Sequence, residues 1–185
     1  YVDDKAEYMI QGHLIRLRDR SDLTTARLED INRIDFKILP LDKAIVHKFG
    51  MGEKKLVVFA DPNCTFCKKL EVETLPEVKN ATVYTLPFAI LSADSEAKSK
   101  QILCSAKPAE SWSAWMLKGT APSTTIDSKC EAAAAASLAA NLALGKKHGV
   151  TGTPTIFFED GTRIPGFVPA STLNARLAET KPAAR

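Results

Sequence analysis

Leu56-Val57-Val58-Phe59-Ala60-Asp61-Pro62-Asn63-Cys64-Thr65-Phe66-Cys67-Lys68-Lys69 is the stretch that decides how this chain reads. Its first five residues are apolar and rich in β-branching, the pattern of a buried strand. Asp61, Pro62 and Asn63 carry turn and capping chemistry. Lys68-Lys69-Leu70-Glu71-Val72 reads as the opening of a helix. Cys64 and Cys67 therefore fall where a strand ends and a helix begins. Unpaired backbone N–H groups and the macrodipole at a helix N-terminus stabilise a thiolate. Cys64 is thus the expected attacking group. Cys67, one turn further in, is placed to close a small disulfide ring with it.

The chain has two further cysteines, Cys104 and Cys130. An even count divided into one local and one distant pair suggests one redox-active pair and one structural bridge. A structural bridge points to an oxidising compartment. The alternative is zinc, which needs all four thiols to converge, usually as two close pairs, and only one close pair exists. His13, His47 and His148 show no metal-ligand spacing. No metal and no other cofactor is expected.

The 185 residues suit one medium domain plus a small appendage, and 45% hydrophobic residues can supply a core. A net charge of +3 without a basic block argues against nucleic-acid binding. No run is long and apolar enough for membrane insertion. No signal peptide is visible, and the opening Tyr1-Val2-Asp3-Asp4 reads as a processed or trimmed start.

Working outward from the dithiol, residues 43–50 read as a preceding strand, joined to it by the turn Met51-Gly52-Glu53-Lys54. The helix after Cys67 is expected to reach about Glu73, since Pro76 opposes continuation. Residues 82–86 read as a third strand, ended by Pro87. Residues 94–104 are helical, capped by Ser92 or Asp94. Residues 108–119 show the proline-early, glycine-late bracket of another helix. On it Trp112 and Trp115 share a face, which reads as packing within the core or insertion. Residues 120–129 read as a loop. Residues 131–148 are strongly helical, stopped by Gly149, and their run of five alanines reads as close packing of a helix on a sheet. Residues 149–154 turn into a fourth strand. Asp160-Gly161 marks a hairpin to a partner strand over 162–164. Residues 170–179 form a last helix, capped around Pro169-Ala170-Ser171, and 181–185 read as a disordered tail.

Upstream, a helix over about 24–34, capped by Asp22 or Thr24, has one narrow apolar stripe of Leu28, Ile31 and Ile34. Such a helix suits a linker between modules. Residues 8–17 are strand-like but broken by Gly12, and too short to fold alone. They read as the remnant of a larger N-terminal module or as an edge that pairs with another chain. The fold class is α/β, a mixed sheet covered by helices, with a helical insertion at about 92–130.

These residues resemble the thioredoxin superfamily, and within it the DsbC/DsbG group of bacterial periplasmic disulfide isomerases, closest to the DsbC type. The segment from Val57 to Cys67 resembles that group's active-site segment, with a different dipeptide between the cysteines. Gly149-Val150-Thr151-Gly152-Thr153-Pro154 resembles its proline loop, and Asp160-Gly161-Thr162-Arg163-Ile164-Pro165-Gly166 its C-terminal hairpin. The similarity runs from about residue 8 to 179. It implies a thioredoxin-like catalytic domain over 41–180, a linker helix over 21–40, and over 1–20 the end of an N-terminal dimerisation module, hence a homodimer. It implies a structural disulfide between Cys104 and Cys130 in the insertion, and a cis bond before Pro154. A membrane thiol reductase of the DsbD kind is implied as electron source, the periplasm as location, and misfolded or disulfide-scrambled secreted proteins as substrates.

A cis bond before proline is cheap compared with any other residue. A proline at a strand start also leaves the backbone groups of the preceding residue unpaired, so Thr153 is expected to pair with an extended substrate by strand addition. Thr65 and Phe66 are further candidate substrate contacts, Phe66 as an exposed aromatic beside a nucleophile. Thioredoxins proper keep a buried acid on the dithiol strand. Val57, Val58 and Phe59 supply none and Asp61 lies in the turn, which implies a more oxidising potential. The leading expectation is a thiol–disulfide isomerase or reductase. The competing ones are a DsbG-like reductase of sulfenylated cysteines, a dithiol oxidase, and a chaperone or holdase with secondary redox activity.

Overall fold

The computed structural model describes residues 1–123 and 125–180. It divides into two compact units, Tyr1–Arg33 and Ile34–Arg185. The expected tail over 181–185 lies outside the described residues.

In the first unit, β1 (Ile15–Arg16) pairs antiparallel with β2 (Ser21–Asp22), and α1 (Leu23–Ile31) follows directly. Asp22 is the N-cap, its carboxylate accepting from the Thr25 N–H at 2.9 Å. No residue of α1 is buried. Tyr8, Met9, Ile10 and Leu17 are all exposed. The helix expected over about 24–34 spans Leu23–Ile31. Beyond it, Ile34, Phe36 and Leu39 are buried in the core of the second unit. Three large apolar side chains at 34, 36 and 39 do not fit a 3.6-residue stripe. They anchor an irregular strap instead, capped by Asp35. Gly161 receives this strap. The Ile34 N–H donates to its carbonyl at 3.0 Å, and at φ +79° a Cβ on Gly161 would stand 2.3 Å from the Ile34 carbonyl oxygen.

The second unit is built on five strands, β3 (Ile45–Phe49), β4 (Lys54–Ala60), β5 (Ala81–Pro87), β6 (Thr155–Phe158) and β7 (Arg163–Pro165). Their spatial order is β3-β5-β4-β6-β7. Only β4 and β5 are parallel; the other neighbours are antiparallel. β4 is central and buried on both faces, and its alternation divides two cores. Leu56, Val58 and Ala60 enter the core that also holds Cys64, Cys67, Trp112, Leu173 and Leu177. Val57 and Phe59 enter the other, with Phe88 and Phe157 packed edge-on against Phe59.

Among the described residues there are six α-helices. After α1 come α2 (Thr65–Lys69), α3 (Ala93–Leu103), α4 (Pro108–Lys118), α5 (Ser128–Lys147) and α6 (Ala170–Glu179). The helix after the dithiol continues past α2 as a π turn over Leu70–Thr74, so it reaches the expected Glu73, and a separate 3₁₀ turn follows over Leu75–Glu77. Pro76 is accommodated in the first turn of that last piece, where no N–H is needed. Ser92 caps α3, accepting from the Ser95 N–H at 3.1 Å. α6 begins at Pro169 without a side-chain cap bond. Of the five alanines 132–136 only Ala134 is buried. The packing face of α5 is instead Ala134, Leu138, Asn141 and Gly145. Gly145 sits where a Cβ would come within 2.4 Å of the Phe88 ring. The alanine run therefore supplies helix propensity more than contact.

Candidate active site

Register brings the site together. Phe59 of β4 pairs with Thr155 of β6, so the segment entering β6 lies beside the segment leaving β4. The first carries Thr153-Pro154, joined by a cis peptide bond, and the second carries the dithiol. The Cys64 Sγ stands 3.2 Å from the Thr153 carbonyl oxygen. Cys64 is also the N-cap of α2, its Sγ accepting the Cys67 backbone N–H at 3.3 Å. The two cysteines are unbonded thiols.

Their environments are opposed. Hydrogen bonding from the Cys67 thiol holds the Cys64 pKa down at about 5, with the Thr153 side chain and the backbone N–H groups of Cys67 and Phe66 adding to it; burial works against them. Cys67 is pushed far up, first by burial and then by its place beside Cys64. One sulfur is thus an anion at neutral pH and the other keeps its proton.

The turn between β4 and α2 is held by Asp61, which is fully buried. One carboxylate oxygen accepts the Asn63 N–H at 2.8 Å and the Ser95 hydroxyl at 2.7 Å. The other accepts the backbone N–H groups of Ile90 and Leu91 at 2.9 and 3.0 Å. Asn63 in turn donates to Asp94 at 2.7 Å. The acid absent from β4 is thus present one residue beyond it, engaged as a fourfold acceptor.

Four residues singled out in sequence, Cys64, Cys67, Thr153 and Pro154, come together here. Thr65 and Phe66 lie on the outer face of α2, Phe66 at 59% exposure. Cys104 and Cys130 are bonded to each other, S–S 2.05 Å, linking the end of α3 to α5. Asp61 carries the turn chemistry the sequence pointed to, but its bonds to Ile90, Leu91 and Ser95 were not legible there. Sequence reading missed the two tryptophans of α4, whose indoles reach the dithiol segment. The Trp115 Nε1–H donates to the Pro62 carbonyl at 2.6 Å, and the Trp112 Nε1–H to the Glu71 carboxylate at 2.6 Å. The spacing of the pair on one helix face was visible; its target was not. Among the described residues no group of three or more His, Cys, Asp or Glu is arranged to hold a metal ion.

A strand-borne dithiol facing a cis-proline loop across a mixed sheet defines a thioredoxin-like protein. The family described as "Thioredoxin-like domain" matches residues 41–181, and the chain belongs to it. More narrowly, it is 40% identical over 177 residues to the probable thiol:disulfide interchange protein DsbC of Bordetella avium, covering 96% of this chain and 61% of that protein. It is 29% identical to DsbC of Escherichia coli K12, over 97% of this chain and 72% of the relative. The chain thus spans about three fifths of the length of the Bordetella relatives. In three dimensions it resembles the disulfide interchange protein of Neisseria gonorrhoeae, with a TM-score of 0.67, 32% identity, and coverage of 78% of this chain and 99% of that one.

Proposed function

We propose that this chain is a thiol–disulfide isomerase and reductase acting on incorrect disulfides of secreted proteins. The observation that carries the reading is the placement of Cys64 as the N-cap of α2, its Sγ beside the cis Thr153-Pro154 segment with Cys67 enclosed behind it, which makes Cys64 the acidic member of the pair. The Cys64 thiolate attacks one sulfur of a substrate disulfide, forms a mixed disulfide and expels the other sulfur as a thiolate, which takes up a proton. A second substrate thiolate then displaces Cys64, leaving a rearranged substrate and an unchanged enzyme. Otherwise Cys67 loses its proton and attacks the Cys64 sulfur. The substrate leaves reduced by two electrons, and the enzyme leaves oxidised as a Cys64–Cys67 disulfide. Burial keeps Cys67 slow to ionise even after Cys64 is bonded to substrate, which gives the mixed disulfide time to rearrange. Forming the mixed disulfide removes the Cys64 anion and lifts part of the restraint.

Thr153, Pro154, Thr65 and Phe66 are the proposed substrate contacts. The exposed Phe66 suits loosely folded chains, and the Thr153 backbone beside Cys64 suits an extended segment. The Cys104–Cys130 bridge supports an oxidising location, the periplasm, where an isomerase needs a membrane thiol reductase of the DsbD kind to keep Cys64 and Cys67 reduced. Among the described residues no helix is long and apolar enough to cross a membrane.

The first unit supports a second element of the reading, a homodimer whose paired modules also hold unfolded chains. An apolar groove of about 460 Å³ runs past Tyr1, Met9, Ile10, Leu14, Leu23 and Leu28. Met9 and Ile10 are more than two-thirds exposed. Sedimentation of the chain across micromolar concentrations tests the dimer.

The central test is refolding of scrambled ribonuclease. The expected outcome is recovery of ribonuclease activity with the wild-type chain and none above background with Cys64→Ser. Undiminished recovery by Cys64→Ser overturns the reading. The potential of the dithiol against glutathione separates the directions: a mid-range value fits isomerisation, and a strongly oxidising one fits a dithiol oxidase.

A further inference from the structure

The two indole N–H groups of α4 bracket the dithiol in sequence and in space. Trp115 donates to Pro62, two residues before Cys64, and Trp112 donates to Glu71, four residues after Cys67. Each bond is 2.6 Å, and each acceptor lies in a piece of backbone with little regular structure of its own. Pro62 is in the turn after β4. Glu71 is in the π turn Leu70–Thr74, where the α-helical ladder is already broken. α2 itself is five residues long, too short to hold its own geometry. The ring of Trp115 is pinned in turn by two ammonium groups, Lys68 Nζ at 4.2 Å and Lys98 Nζ at 4.6 Å from its centroid. Lys98 also pairs with Asp94, which accepts from Asn63 in the same turn. Trp112 is fully buried in the core that holds both cysteines. This is more than filling of space, because an indole N–H is a donor only and both donors are spent on the dithiol segment.

We propose that Trp115 and Trp112 are positioning residues for the exchange reaction, a two-point clamp that keeps Cys64 aligned with its hydrogen-bond donors. The acidity of Cys64 rests on short-range bonds from the Cys67 thiol, the Thr153 side chain and the backbone N–H groups of Cys67 and Phe66. Such bonds weaken steeply with misalignment. A turn freed at Pro62 lets the sulfur drift from them, and the thiolate loses its stabilisation. The helical insertion is thereby part of the reaction apparatus, and α4 acts on Cys64 without touching it. The bridge from Cys104 to Cys130 closes the segment that carries α4 and limits how far the clamp can lift.

The inference rests on Cys64 being the attacking thiolate, so its test begins with the wild-type chain. The rate of Cys64 alkylation by iodoacetamide is followed against pH. A wild-type midpoint near that of an ordinary thiol defeats the functional reading itself. With a low wild-type midpoint, Trp115→Phe is expected to move it upward, slowing alkylation below the midpoint by roughly threefold for each half unit. Trp112→Phe is expected to move it in the same direction, whereas Glu71→Gln with Trp112 in place, which keeps an oxygen acceptor for the indole, is expected to leave most of the wild-type profile unchanged. Where the phenylalanine variants fail to fold, the decisive protein carries 3-benzothienylalanine at 115 or 112, which keeps the shape of the ring and replaces only the N–H. A folded variant without the donor and with an unmoved midpoint overturns the clamp. A second readout is the indole N–H resonance of each tryptophan. Both are expected to shift when Cys64 and Cys67 are oxidised, and indole signals that ignore the redox state overturn the proposal.

Discussion

The chain contains two cysteine pairs, and the reactive one is the more buried. Cys64 is 7% exposed and Cys67 1%, whereas Cys104 and Cys130 are both half-buried and joined to each other. Access alone therefore does not distinguish a working dithiol from a structural bridge. The difference lies in what surrounds the sulfurs. Cys64 caps a helix and collects several donors, while Cys67 is enclosed behind it. Cys104 and Cys130 sit at a helix end and within a helical first turn, joined across the insertion. Reactivity in this fold comes from asymmetry between two neighbouring sulfurs, and inertness from a bridge that has no third thiol beside it.

The largest expected effect breaks the asymmetry. With Cys67→Ser the escape reaction is lost, and mixed disulfides with unfolded substrate that carries scrambled disulfides are expected to accumulate from traces to the dominant species on non-reducing gels. Removing the other pair is expected to act on stability instead. The double variant Cys104→Ser, Cys130→Ser should lose about 3 kcal/mol in denaturant unfolding, the loop-closure value for a bridge of this span. The single variant Cys130→Ser, which leaves Cys104 as a free thiol, should trap no substrate through Cys104. Trapping at Cys104 would erase the distinction between the pairs.

The smallest effect sharpens the comparison through pH. Cys64 has a depressed pKa in the folded, reduced protein, about 5. Its contribution to stability is full above the unfolded thiol range and is lost as pH falls toward 5. Glu71 works in the opposite sense. Burial raises it to about 7 against the pull of the Trp112 N–H, so the folded state holds a proton that the unfolded state has released. Stability from this group is full below the unfolded carboxylate range and declines as pH rises toward 7. Thermal unfolding of the reduced chain should therefore show Glu71→Gln removing a downward slope between about pH 4.5 and 7. Cys64→Ser should remove an upward slope at higher pH. Slopes unaffected by the two substitutions would contradict the assigned environments.

Much of this was legible in the sequence because it is local. Apolar runs and turn residues mark β4, β5, β6 and the hairpin after Phe158. The bracket of Pro108 and Gly119 marks α4, and two cysteines at a strand-to-helix turn mark the dithiol. The departures were also local in origin. Pro76 marks the end of the run through Thr74, but the π turn over Leu70–Thr74 and the 3₁₀ turn that takes up the proline leave no mark in composition. Ile34 completes an apparent helical stripe with Leu28 and Ile31, yet it belongs with Phe36 and Leu39 in the core of the second unit, which only the folded chain shows.

By itself the sequence determined the elements, the chemistry of the dithiol and the strand end that carries it, since these depend on neighbours within a turn or two. Tertiary structure alone decided which side chains surround Cys64. Pairing of Phe59 with Thr155 delivers the Thr153 carbonyl, and Asp61 reaches across to Ile90, Leu91 and Ser95. The indoles of α4 reach back over more than 40 residues to the turn they hold. Hydrogen bonds act over about 3 Å and carry no memory of separation along the chain, so a partner such as Thr153, distant from Cys64 in sequence, becomes known only when the chain is folded around the thiol.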